Sequence, residues 1–224
     1  IILSGLSYKD EKYLSYGLNL LKKIIDFSFD IQNFPKSRNF RQLTFYLKYF
    51  ILIREWMKES QNEIPEYLNE IIFFLGQNYS FIWQNTSQNL LFNGNHISSN
   101  VDFDKYLNFH NYKFKNESNE SGGYAILKNK NFILSIDLGS SPQKKFSNDY
   151  QSGALSFEIF FNNCKLISNC GYFQNYKHQL NSISKSTATH STLILDNRSS
   201  CKMKKETDGI FKVDEEIKVI KKSI

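Results

Sequence analysis

The stretch SGALSFEIFFNNCKLISNCG, Ser152 to Gly171, decides how the second half of the chain is read. Its apolar positions recur every second residue: Leu155, Phe157, Ile159 and Phe161 share one side, while Ala154, Ser156 and Glu158 share the other. That is the period of a pleated strand. Asn162 and Asn163 break the run, and a second short run follows in CKLISNCG. Four similar runs flank the pair, GYAILKN, NFILSIDLG, STLILD and GIFKVDEEIKVI, separated by turn residues such as KNKN and DNRSS. Runs so closely spaced, with no helix between them, predict an antiparallel sheet or sandwich rather than parallel crossover units.

The period upstream is different. In EKYLSYGLNLLKKIIDFSF, Leu14, Leu18, Leu21, Ile25 and Phe29 recur at three- and four-residue steps, which predicts a helix with one buried face. NFRQLTFYLKYFILIREWMKE predicts a second, more thoroughly buried helix. IPEYLNEIIFFLGQ predicts a third, with Pro65 near its first turn and Gly76 where a C-terminal cap would sit. Three helices with short links read as helical hairpins of a bundle or of a toroid of repeated helix pairs. The expected organisation is α+β and multidomain: a helical segment over 1–95, a polar linker or long loop over 96–121, and an antiparallel β-sandwich over 122–224. Both ends fall in mid-pattern, so the chain reads as a piece of something longer.

Composition narrows the function classes. The 224 residues include 20 Phe and 13 Tyr, enough for a sizeable core. The net charge of +6 comes from scattered lysines, apart from clusters at Lys202–Lys205 and Lys218–Lys222. That excess is compatible with an anionic partner without demanding one; Phe, Ile, Asn, Lys and Tyr are abundant and Pro, Ala and Gly sparse, as an AT-rich coding sequence gives any fold, so the charge is discounted as a sign of nucleic-acid binding. Cys164, Cys170 and Cys201 form no C-x-x-C pair, so neither a disulfide framework nor a thiolate zinc site is indicated, and all three read as small buried residues. No apolar run reaches the ~18 residues of a membrane span. No phosphate-binding loop, dinucleotide fingerprint, H-E-x-x-H or G-x-S-x-G occurs.

His190 lies in ATHSTLILDNRSS, Ala188 to Ser200. Read as a strand, this stretch puts Leu193 and Leu195 on the side of Ser191. His190 then shares the opposite face with Thr192, Ile194 and Asp196, at an interdomain cleft if that face is covered. A histidine beside a serine is also an ordinary polar pair, and the same holds for His96, His110 and His178. Tyr172, Phe173 and Tyr176 can line a sugar surface or fill a core, and core packing is the commoner use.

Taken in order, GGYAILKNKNFILSIDLGSSP, SGALSFEIFFNNCKLISNCG and STATHSTLILDNRSSC resemble the C-terminal part of heparinase II/III-like proteins. SRN at Ser37–Asn39 and FNGN at Phe92–Asn95 resemble the helical part of the same proteins. The resemblance implies an (α/α) toroid packed on an antiparallel β-sandwich, with a cleft between them for an acidic polysaccharide. It implies β-elimination: removal of the C5 proton of a uronic acid and expulsion of the C4-linked sugar. It implies catalytic roles for His190 and Asp149, and substrate contacts for Arg38, Asn39 and Gln151. It also implies a divalent metal, zinc or calcium, on His190 and Asn169, and a bacterial periplasm or cell envelope as the setting. The sequence departs from the family at three of these positions. The family's H-x-H pair falls on Asp149 and Gln151, and its metal-binding Asp falls on Asn169. A Gln, Asn and His set holds a divalent metal poorly. The alternative is therefore a catalytically impaired relative that binds or helps build envelope glycan.

Overall fold

A computed structural model describes residues 1–86, 89–96 and 101–220. Helices come first: α1 Ile2–Tyr8, α2 Glu11–Ser28, α3 Phe40–Glu59, α4 Glu66–Thr86 and α5 Val101–Phe109. Strands follow: β1 Glu120–Ser121, β2 Tyr124–Lys128, β3 Phe132–Asp137, β4 Phe157–Phe161 and β5 Cys164–Ile167 form one antiparallel sheet in sequence order. A short helix α6, Gln179–Ser184, precedes a separate antiparallel pair, β6 Lys202–Lys205 and β7 Phe211–Glu215.

The helices start where the sequence supplies caps. Asp10 accepts from the backbone N–H groups of Lys12 and Tyr13 at the head of α2, and Asn39 accepts from those of Arg41 and Gln42 at the head of α3. Gly76 does not end its helix. It lies inside α4, where an added Cβ would sit 2.1 Å from the Phe114 ring, so the position needs a close approach rather than a cap. Gly76→Ala gains about 1 kcal/mol of helix propensity but overpacks a buried contact, at a cost of about 1–3 kcal/mol. Overpacking is the larger effect, and thermal unfolding of the variant should show a net loss.

The helices and the larger sheet share one core. Tyr124, Ile126, Ile133 and Phe160 from the sheet's inner face pack with Phe34, Phe40, Phe92 and the helix residues Leu43, Leu47 and Leu75. Phe40 and Tyr124 meet with ring centroids 4.6 Å apart, and Phe34 and Phe92 lie 6.0 and 5.6 Å from Tyr124. In β4 the buried side carries Glu158 and Phe160, whereas Phe157, Ile159 and Phe161 are half-buried or exposed on the outer side. The polar side of the alternation is thus the inner one, because Glu158 is used inside the fold.

Four expectations are corrected. The stretch 96–121 contains α5 and β1 rather than linker alone, although residues 97–100 lie outside the described residues. STLILD is not a buried strand: Leu193 and Leu195 are 76% and 67% exposed, and only an isolated bridge joins Leu195 to Arg198. The reason is side-chain capture. The Ser191 hydroxyl bonds the Phe157 carbonyl, the Ser191 N–H bonds Asn169, and the Thr192 hydroxyl donates to the Ala154 carbonyl. With no strand there, the face assigned to His190 by alternation does not exist. Cys164 and Cys170 are exposed, leaving only Cys201 buried among the three. Of the second lysine cluster, Lys221 and Lys222 lie outside the described residues.

Candidate active site at the seam between helices and sheet

The seam is built from the two motifs that precede α3 and follow α4. Arg38 sits at φ +58°, which turns its side chain into the sheet. Its guanidinium bonds Asp137 at 2.6 and 3.4 Å, donates to the carbonyls of Gly122, Gly123 and Ser140, and lies 4.5 Å over the Tyr124 ring. Tyr124 donates back to the Arg38 carbonyl, and Asn93 donates to both the Tyr124 hydroxyl and Asp137. Arg38, Asn93, Tyr124 and Asp137 are all buried. Glu158 makes a second knot, accepting from Lys165, Ser168 and the backbone N–H groups of Leu91 and Asn169.

Asn39 extends this seam outward. While its Oδ1 caps α3, its Nδ2 donates to Asp149 at 2.9 Å, and Arg41 reaches the same carboxylate oxygen at 3.2 Å. Gly94, at φ +76°, lies so close that a Cβ there would fall 2.3 Å from Asn39 Nδ2 and 2.8 Å from Asp149 Cβ. The glycine of FNGN is therefore required by this approach. The Arg41 guanidinium lies 5.5 Å over the ring of Tyr172, whose backbone N–H bonds the Asn95 carbonyl. Burial pushes the Tyr172 phenol up to about 12; Asp149 adds to the rise, while Asn181 and Arg41 oppose it. His96, beside Gln174, is held below the ordinary histidine value by burial and by Arg41. Arg41, Asp149, Tyr172 and His96 form a polar cluster open to solvent at one edge.

The remaining expected site residues lie in a neighbouring knot. Gln151 is buried: its Oε1 accepts from the Gly94 N–H, and its Nε2 donates to the carbonyls of Gly171 and Ser184. His190 Nε2 bonds the same Ser184 carbonyl at 3.2 Å, which places the ring proton on that nitrogen. Its ring packs against Gly153, and burial lowers its pKa to about 4, so it is neutral near pH 7. Asn169 Oδ1 accepts from Ser191, and its Nδ2 is an amide donor, which cannot ligate a cation. The two side-chain carbonyls are spent on protein donors, and among the described residues no group of three or more His, Cys, Asp or Glu is placed to hold a metal. This donor set does not fit a divalent cation.

The neutral His190 sets a pH dependence. Its pKa is about 4 when folded, against the ordinary histidine value of 6.5. The unfolded chain therefore binds the proton first, and stability falls as pH drops from 6.5 toward 4. The loss approaches about 3 kcal/mol. Urea unfolding at pH 7 and pH 4.5 should show a smaller acid loss for His190→Gln than for the parent.

Residues 115–221 match the family described as heparinase II/III-like, C-terminal. This segment is a heparinase II/III-like C-terminal domain. Solved structures similar to the chain include a mutant of heparan sulfate lyase HepC from Pedobacter heparinus, with 15% identity and a TM-score of 0.73 over 92% of this chain. The unmutated lyase gives 16% and 0.69 over 92%, and a structure titled heparinase III gives 14% and 0.68 over 87%. The likeness is one of fold. This chain spans 38%, 38% and 37% of the lengths of those three. No curated protein matches it in sequence. The heparinase II/III-like domain supplies Asp149 and Tyr172 to the seam, α3 supplies Arg41, and the stretch after α4 supplies His96.

The sequence assigns neither Arg41 nor His96 to the site, and offers Tyr172 only as one of three aromatics that line a sugar surface or fill a core. Arg41 lies two residues past a quoted motif, His96 directly after FNGN, and Tyr172 directly after NCG. Adjacency to those turns was the signal available.

Proposed function

We propose that the intact protein is a polysaccharide lyase acting on uronic-acid-containing glycans, with the seam cluster as part of its cleft. The observation that supports this is Arg41, Asp149, Tyr172 and His96 meeting where a heparinase II/III-like domain joins a layer of helices. β-Elimination needs the uronate carboxylate neutralised, a base for the C5 proton and an acid for the C4 oxygen. Arg41 supplies the positive charge. His96, neutral at pH 7, accepts the C5 proton on a ring nitrogen. Tyr172, still protonated at pH 7, gives its proton to the leaving oxygen. Asp149 holds Arg41 and Asn39 and acts by positioning, and His190 positions the Ser184 turn that it shares with Gln151. Arg38, Asn39 and Gln151 act behind the substrate surface, fixing the groups that face it.

The intact protein, given acidic polysaccharides, should release unsaturated uronates that absorb in the ultraviolet. Failure to do so on a broad panel of such glycans would sink the reading. A second reading has its own observation: Asp149 and Gln151 stand at the family's H-x-H positions, and Gln151 is wholly engaged inside the fold. On that reading the protein binds acidic glycan without cleaving it. Tight binding with no unsaturated product, unchanged in a His96→Ala variant, would favour it.

A further inference from the structure

We infer that Lys185 is a positioning residue, holding Asp149 and Tyr172 in register with each other across the candidate site. The inference rests on the lyase reading, in which Tyr172 gives up the proton. Lys185 follows the last turn of α6 and is only 2% exposed. Its Nζ donates to the Asn148 carbonyl at 2.5 Å and to the Phe211 carbonyl at 2.6 Å, and lies 5.8 Å over the Tyr172 ring. Its own carbonyl accepts from the Ser152 N–H at 2.9 Å. One residue thus grips the chain on both sides of Asp149, and touches Tyr172 as well. Asp149 in turn holds Asn39 and Arg41, and Arg41 shares the Tyr172 ring.

A lysine is an unfavourable choice here for packing alone. Both hydrogen-bond partners of its Nζ are neutral carbonyls, and a buried ammonium without a bonded anion resists its own charge. Burial is the largest influence and lowers its pKa to about 8; Asp149 opposes the fall, and Lys212 on β7 adds to it. Arg198, Lys202, Glu215 and Glu216 line the groove outside Lys185, where Glu215 bonds Lys202. A cation retained at such a position fits a place where its charge is used. Above about pH 8 the ammonium becomes an amine. It then loses the charge-assisted part of both carbonyl bonds and its attraction to the Tyr172 ring. The grip on the site therefore loosens in alkali, while Tyr172 itself stays protonated.

The first test needs no turnover. In the intact protein, Tyr172→4-fluorophenylalanine keeps the ring and adds a fluorine that does not ionise. Its fluorine NMR resonance should move as pH rises, with a midpoint near pH 8, and should stay fixed over the same range once Lys185→Met is added. The second test follows unsaturated uronate release from heparan sulfate, alginate and polygalacturonate. In the parent, kcat should fall on an alkaline limb near pH 8. Lys185→Met should lower kcat at pH 7 about tenfold or more while KM stays within about twofold. Lys185→Arg, charged throughout the range, should restore most of kcat and abolish the limb. A resonance that does not move, or that moves as far in the Lys185→Met background, would overturn the inference. So would a kcat that survives Lys185→Met, or a loss of kcat that tracks a lower unfolding midpoint and leaves the limb in place. Should either substitution prevent folding, the fluorine titration with Lys185 intact and the parent's alkaline limb still decide. A moving resonance with no product from any of the three polysaccharides removes the lyase reading and leaves the Lys185–Tyr172 coupling standing. Product release with an unmoved resonance does the reverse.

Discussion

Arg38→Met is expected to lower stability by about 3–5 kcal/mol, because it leaves Asp137 charged and buried without its cation. For a chain of this size that corresponds to a fall in unfolding midpoint on the order of 10 °C. Methionine keeps the apolar stem and suffers the same backbone strain at φ +58°, so the difference reports the guanidinium. Asn93 and the Gly139 N–H would still bond Asp137, but neither neutralises it. Lysine should fail almost as badly. A point charge cannot reach Asp137 and the carbonyls of Gly122, Gly123 and Ser140 together, whereas a planar fork does. The decisive control is Arg38→Met with Asp137→Leu, which should recover part of the loss. If the single variant unfolds at the parent's midpoint, the network is not what joins the layers.

The second large effect concerns chemistry. On the proposed mechanism, Tyr172→Phe should lower kcat by about 10²–10⁴ while leaving KM and the unfolding midpoint nearly unchanged. A purely structural tyrosine would give the opposite pattern. The pH profile separates the roles further. His96 lies below its ordinary value of 6.5, so the acid limb of kcat/KM should fall below pH 6.5. Tyr172, at about 12, should contribute no alkaline limb in the working range. Arg41 is the second cause of the His96 shift after burial, so Arg41→Gln should move the acid limb upward. A limb that stays in place would detach His96 from the proton transfer.

Period alone located α2, α3, α4 and the strands β2 to β5, since each presents its apolar residues at the spacing of its own geometry. It failed where the deciding contact is remote. Gly76 reads as a stop until Phe114 is seen against it. STLILD reads as a strand until Asn169, Phe157 and Ala154 are seen to take its polar groups. In α5, Phe103, Tyr106 and Leu107 do repeat at helical spacing, but the segment is short and set in polar sequence. The candidate site was least legible. Asp149 could be singled out only through resemblance, and its meeting with Arg41 and Tyr172 depends on a seam joining distant parts of the chain.

That seam also bears on the order in which the molecule assembles. The bonds of Arg38 close loops of 84 to 102 positions, whereas the helices and the β2–β5 meander are made from near neighbours. Local contacts form before loop closures of that length. Helical hairpins and meander can each arise early, and the polar cluster comes into being only when Arg38 enters the sheet. Docking of the two layers, rather than the making of either, is then the slow event that creates the site.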